Sequence, residues 1–212
     1  MSYGIFRSNG VTPSMKRQFP NQKYANTLIG TELEVKIGRN RSIEECYQAF
    51  KRLTNVHGDN NRFYSIQKMW DYIKLETPNA IPIEPLYQRH KDNTPFGGNL
   101  KLSEFVDALR NITLSWDDCD ISNVLEQIGW DSNQLERYQA DIRKILKANL
   151  KYPVIINERG DLIDGNHRLI QALVRHQKTI ECVKVDLRVY PCDLYLTPEQ
   201  SSAVITKFVT PD

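Results

Sequence analysis

Residues 153–169 of this chain read PVIINERGDLIDGNHRL. A short β-branched run, residues 153–156, is followed by turn signals at residues 157–161 and by a second apolar pair, residues 162–163. This order predicts a β-hairpin whose second strand delivers Asp164 to the start of a helix. We expect that helix over residues 166–176, with its leucines turned inward.

The residues at the predicted helix start have the chemistry of a phosphate-binding site. A helix N-terminus offers free backbone amides and a partial positive charge. Gly165 lets the backbone approach an anion closely, Arg168 can donate to two phosphate oxygens, and His167 adds a donor that titrates near neutral pH. Asp164 could steady Arg168, bind a magnesium ion or act as a general base. The structural alternative is that Asp164 only caps the helix and that His167 and Arg168 are surface residues satisfied by neighbours.

The form Asp-Gly-x-His-Arg after a hairpin, followed by a helix and a strand, resembles the phosphate-binding element of the ParB/sulfiredoxin superfamily. Residues 85–89, PLYQR, are similar to the proline-to-Gln-x-Arg stretch with which ParB-type domains begin. The resemblance covers roughly residues 80–187. It implies an α/β (α+β) fold with a small mixed sheet and helices around it.

Members of that superfamily differ in chemistry, so the residues must discriminate among them. Sulfiredoxins place a catalytic Cys where this chain has Asn166, and an amide cannot be that nucleophile. Chromosome-partitioning ParB proteins carry a Glu-Arg-Arg form and continue into helix-turn-helix and dimerisation domains, for which residues 187–212 leave little room. The motif is most similar to that of the superfamily's free-serine kinases.

That likeness implies a function and a set of site residues. It implies phosphoryl transfer or nucleotide hydrolysis with ATP or ADP, with CTP also possible, and with Mg²⁺ and a small-molecule acceptor. The catalytic residues would be Asp164, Glu84 and His167, with Asp164 also the metal ligand. The nucleotide-binding residues would be Gly165, Asn166, His167, Arg168, Gln88 and Arg89. If these residues have no function, Glu84 is a solvated residue beside a strand, and Gln88 and Arg89 lie in an exposed turn.

Composition limits the other possibilities. Apolar residues make up 40% and charged residues 25%, and the net charge is +2, so we expect a folded cytoplasmic protein without a membrane span. A basic stretch, residues 7–41, could track nucleic-acid phosphates, which makes a nucleic-acid-binding or nuclease protein the second hypothesis. It could equally be a solvated arm. A non-catalytic interaction protein is the third.

Other patterns predict the surrounding elements. Residues 33–37 alternate as a strand does, and Ser42 with Glu45 forms a capping box. Two prolines predict an extended edge strand over residues 80–85. Helices are expected over residues 103–109, 121–128 and 135–150, and a strand over 180–185. A last helix should open with a second capping box at residues 197–200. The glycine-rich loop, residues 91–99, is either a connector or a lid. We divide the chain into an accessory region (1–79), a nucleotide-binding domain (80–190) and a C-terminal helix (191–212).

Overall fold

A computed structural model describes residues 41–59, 61–74, 76–112, 120–190 and 192–209. These residues form an α/β fold of eight α-helices and two small sheets, which is the fold class expected from the sequence. The predicted strand over residues 33–37, and the basic stretch up to residue 40, lie outside the described residues. The chain divides into two compact units, residues 76–185 and residues 1–75 with 186–212.

The described elements follow one another in this order. The helices are α1 (Ile43–Lys51), α2 (Ile66–Ile73), α3 (Ile83–His90), α4 (Leu102–Arg110), α5 (Ile121–Ile128), α6 (Ser132–Leu146), α7 (Asn166–Val174) and α8 (Pro198–Val209). The strands are β1 (Val56–Asp59), β2 (Arg62–Ser65), β3 (Asn79–Pro82), β4 (Val154–Asn157), β5 (Leu162–Asp164), β6 (Thr179–Val185) and β7 (Leu194–Tyr195).

The unit that contains α1 is built on an antiparallel sheet in the order β1-β2-β7. The predicted capping box begins α1, because Glu45 Oε2 accepts from the Ser42 amide at 2.8 Å and the Glu45 amide donates to Ser42 Oγ at 3.3 Å. The box predicted for α8 also forms, between Thr197 and Gln200. Helix α8 packs on α1 within this unit.

The second unit, residues 76–185, contains a mixed sheet in the order β3-β6-β4-β5. Strand β6 runs parallel to β4 and antiparallel to the edge strand β3, while β4 and β5 form the predicted hairpin. Helix α7 packs against β4 and against helices α3, α4 and α6. Its whole second half is buried, so the sequence that leaves the hairpin is held from several sides.

Three predicted boundaries are wrong. The extended stretch expected over residues 80–85 ends at Pro82, and α3 begins at Ile83 with Pro85 in its first turn, where a missing backbone donor costs nothing. Helix α6 covers Ser132–Leu146 and not residues 135–150, because Asp131 caps its start through Gln134. Helix α7 ends at Val174, two residues early, and His176 then adopts a positive φ of 56°.

Among the helices that the structure describes, none combines the length and the apolar character that crossing a bilayer requires.

Candidate functional site

The turn of the β4–β5 hairpin is held by a network centred on Asp161. Its carboxylate accepts from Asn157 Nδ2 and from Arg159 Nε, each at 2.9 Å. The hydrogen bond from Asn157 first, and then those from Arg89 and Arg159, lower the pKa of Asp161 from its ordinary value to about 2. Asn157 Oδ1 in turn accepts from the backbone amide of Asp161 at 2.8 Å. The turn is therefore rigid where it leads into the strand that ends at Asp164.

Gly165 links the hairpin to α7 in a conformation that other residues rarely adopt. Its φ is +113°, and a Cβ at this position would lie 2.7 Å from Val154 Cγ1 and 3.1 Å from Arg168 Nη2. Gly165 is the N-cap of α7, and as a glycine it has no side chain that could make a capping hydrogen bond. Close backbone packing and an N-cap residue without a side chain are what the phosphate-binding prediction requires of this position.

Asp164 and Arg168 form an ion pair across the first turn of α7. Arg168 Nη2 lies 2.7 Å from Asp164 Oδ2, and the two side chains are 18% and 32% exposed. Asp164 thus pairs with Arg168, which is one of the roles considered for it. Both groups stay accessible enough to meet a ligand.

His167 lies in a partly buried environment that the sequence did not reveal. Its ring stacks on Phe96, with centroids 4.4 Å apart and the planes at 21°, and its Nε2 lies 3.4 Å from Asp141 Oδ1. Burial lowers the pKa of His167, and the hydrogen bond to Asp141 opposes part of that shift. A neutral ring whose Nε2–H points to Asp141 leaves Nδ1 as a proton acceptor.

Helix α3, and not a strand or a turn, carries the predicted catalytic residue Glu84 and the predicted nucleotide-binding residues Gln88 and Arg89. Glu84 Oε1 accepts from Gln88 Nε2 at 2.7 Å, and both side chains are exposed. Arg89 reaches the hairpin turn, where its Nε lies 2.9 Å from Asp161 Oδ1. The structure therefore brings Arg89 to the hairpin that carries the motif, whereas the described contact of Glu84 and Gln88 is with each other.

His90, which follows Arg89 at the end of α3, contacts the β4–β5 hairpin. It is buried, and its Nε2 accepts from the Leu162 amide at 3.1 Å while its Nδ1 lies 2.9 Å from Asn93 Nδ2. Burial lowers the pKa of His90. Because an acceptor nitrogen must be unprotonated, His90 ties the end of α3 to the hairpin in its neutral form. No local pattern in the sequence marks this long-range contact.

The glycine-rich loop supplies Phe96 to the site. Residues Pro95–Gly97 form a 3-10 turn, and the Asn99 amide donates to Tyr138 Oη at 3.0 Å. Gly98 packs so closely on the Tyr138 ring that a Cβ would overlap it. The loop is therefore anchored to α6, and closure over a ligand stays a prediction.

A metal at this place would rest mainly on Asp164. The described part of the chain holds no cluster of three or more His, Cys, Asp or Glu side chains arranged for a metal ion. Magnesium in nucleotide sites is commonly bound by one or two carboxylates together with substrate phosphates and water. A single partly exposed carboxylate beside a helix start fits that mode of binding.

Comparisons with known proteins add nothing to this geometry. In comparisons with protein-family models, with curated proteins and with solved structures, nothing matches this chain significantly.

Proposed function

We propose that the unit formed by residues 76–185 binds a nucleotide at the start of α7 and transfers or hydrolyses its terminal phosphoryl group. The observation that carries this proposal is the conjunction at Gly165 and Arg168. Gly165, which no other residue can replace without a clash, is the N-cap of α7 and has no side chain, and Arg168 of the first turn lies against it. The same residues carry the resemblance to the ParB-like free-serine kinases.

The phosphates would be bound by three features of this short segment. The amides of the first turn of α7 and the helix dipole favour an anion at Gly165, as they do in other phosphate sites. Arg168 would donate to phosphate oxygens, and its ion pair with Asp164 holds the guanidinium in one orientation beforehand. Asn166, at the first helical position, adds a side-chain amide at the same edge.

The proton of an acceptor hydroxyl, or of water, needs a base. Neutral His167 is suited to this step because Asp141 orients Nε2–H and leaves the Nδ1 lone pair available. The nucleophile's oxygen would form a bond to the terminal phosphorus, the bond to the bridging oxygen would break, and the proton would go to His167. Mg²⁺ bound by Asp164 and the phosphates would neutralise the developing charge.

ATP or ADP is the expected nucleotide, and a small hydroxyl compound is the expected acceptor. The resemblance to free-serine kinases makes serine the first acceptor to test, with Glu84 as the residue that the likeness assigns to its side. The exposed position of Glu84 on α3, paired with Gln88, leaves its carboxylate accessible.

The test is nucleotide consumption by the full chain with Mg²⁺, with and without serine, followed by ³¹P NMR. We expect new phosphate-ester or inorganic-phosphate signal from the wild type. We expect a loss of about 100-fold or more in rate from His167→Asn, as is typical when a general base is removed. Turnover by His167→Asn at the wild-type rate would remove His167 from the chemistry, and no turnover of any nucleotide by the wild type would overturn the proposal of an enzyme.

The second candidate function is nucleic-acid binding or nuclease activity. It stays a prediction from sequence, because the basic stretch that suggests it, residues 7–41, lies almost entirely outside the described residues. Binding of polynucleotide with a steep salt dependence would favour it. If such binding survived removal of residues 1–41, the version that depends on this stretch would be wrong.

A further inference from the structure

A cleft lies in the unit formed by residues 76–185, where the end of α6 meets the second half of α7. An open cleft of about 610 Å³ is formed by residues 147–151 and by side chains of α7 and the turn after it. A volume of this size matches that of small-ligand sites, which run from roughly 300 to 1,000 Å³. The cleft uses none of the residues assigned above to the nucleotide.

The charge of the cleft selects an anion. Its lining includes three cationic side chains, Lys147, Lys151 and Arg175, and no carboxylate. The chain carries no Asp or Glu from residue 142 to residue 157. The segment that forms the rim, residues 147–151, therefore has no acidic residue within it or close to it in sequence. Lysine and arginine in such a group are the usual partners of phosphate.

The buried side-chain amide of Gln171 needs a hydrogen-bond donor, which is a requirement beyond negative charge. Gln171 is 1% exposed, and its Nε2 donates to the Leu146 carbonyl at 2.9 Å. Its Oε1 is buried and accepts no hydrogen bond within the described part of the chain. Turning the amide over would set two oxygens against each other, so the orientation is fixed and Oε1 needs a donor. A buried acceptor without a donor is costly, by about 1–3 kcal/mol.

From these observations we infer that the cleft binds a phosphorylated sugar, with the phosphate on Lys147, Lys151 and Arg175 and a sugar hydroxyl donating to Gln171 Oε1. The two amides at the rim, Asn149 and Gln177, fit further hydroxyls. A phosphate ester beside free hydroxyls occurs both in free sugar phosphates and in nucleoside monophosphates. The inference is independent of the function proposed for the start of α7.

The experiment is calorimetric titration of a full-chain variant that carries both Asp164→Ala and Arg168→Ala. These two changes disable the proposed nucleotide site at the start of α7. The ligands are ribose 5-phosphate, ribose, inorganic phosphate and adenosine 5′-monophosphate. We expect ribose 5-phosphate to bind at least tenfold more tightly than inorganic phosphate or ribose. Equal affinity for ribose 5-phosphate and inorganic phosphate would overturn the role of Gln171. Tighter binding of the monophosphate than of ribose 5-phosphate would identify a nucleotide as the source, and weaker binding a free sugar phosphate.

The matched variants change only exposed lysines, so the fold should be retained. Lys147→Gln with Lys151→Gln should weaken ribose 5-phosphate binding at least tenfold. Lys101→Gln with Lys184→Gln removes the same charge from exposed positions that do not line the cleft, and should leave the affinity unchanged. Equal effects of the two pairs would show that only net charge matters and would overturn the site. In the ¹⁵N spectrum, the Gln171 side-chain amide should shift with ribose 5-phosphate and not with inorganic phosphate.

Discussion

Arg168 Nη2 lies 2.7 Å from Asp164 Oδ2, so a cation and a carboxylate of the same motif are joined across one turn at the start of α7. The pair has two consequences. It fixes the guanidinium beside Gly165 before any ligand arrives, and it balances the arginine charge in the ligand-free protein. An arriving phosphate would compete with a carboxylate that is already in place, so the affinity depends on both residues.

Replacing Arg168 by Ala should weaken nucleotide binding by about 1.5–3 kcal/mol, the usual range for a hydrogen bond to a charged group. Binding of ATP with Mg²⁺ by calorimetry measures this change. Arg110→Ala, at the exposed end of α4, is the matched control and should bind as the wild type does. Unchanged affinity in a correctly folded Arg168→Ala protein would exclude Arg168 from the site.

Gly165→Ala should lower the free energy of unfolding by about 2–4 kcal/mol, because positive φ and a clash with Val154 add together. Gly160→Ala is the control in the same hairpin. Gly160 also has a positive φ, of 85°, but a Cβ there would meet nothing within 4 Å, so we expect only about 1–2 kcal/mol. Urea denaturation compares the two variants, and an equal loss in both would show that the clash with Val154 is relieved.

Stability should fall as the pH drops from neutral into the acid range, because burial lowers the pKa values of His90 and His167. The unfolded chain has ordinary histidines with pKa near ~6.5 and takes up protons first. The free energy of unfolding should therefore decrease as the pH falls below that value, until the folded pKa values are passed. His90→Gln keeps an acceptor for the Leu162 amide and should flatten this part of the profile. A profile of the same slope in His90→Gln would contradict the assignment.

A second loss of stability should appear at lower pH, from Asp161. Its folded pKa of about 2 lies below the ordinary value of 3.8, so its contribution is present above the ordinary value and is lost as the pH falls through the folded one. Asp161→Asn should remove this component between about pH 4 and pH 2. Measurement of unfolding by urea across that interval, for both proteins, gives the difference directly. Parallel curves would mean that the hairpin network does not depend on the Asp161 charge.

Several elements of the fold could be predicted because the sequence pattern that marks each of them spans only a few residues. The hairpin, the start of α7 and the capping boxes at Ser42 and Thr197 each depend on residues a few positions apart. The strand expected over residues 80–85 was wrong in its last three residues for a local reason as well. Two prolines favour extended structure, but a proline in the first turn of a helix is equally tolerated, and Ile83 begins α3.

The surroundings of the motif were not predictable, because tertiary contacts create them. Asp141 and Phe96 meet His167 only once α6 and the glycine-rich loop pack beside α7. His90 likewise meets Leu162 across 72 positions of sequence. A single acidic or aromatic residue forms no sequence pattern from which such a contact could be predicted. The motif therefore predicted the helix start correctly, and tertiary packing supplied the residues that surround it.

The measurement that bears most directly on the nucleotide site is titration of the full chain with ATP, ADP and CTP in the presence of Mg²⁺, beside the variant that carries Asp164→Ala and Arg168→Ala. We expect saturable binding of at least one of these nucleotides to the wild type and none to the folded double variant. Equal binding by the two proteins would move the nucleotide away from the start of α7. Binding of none of the three to the wild type would contradict the proposal itself and would leave nucleic acid as the ligand to test next.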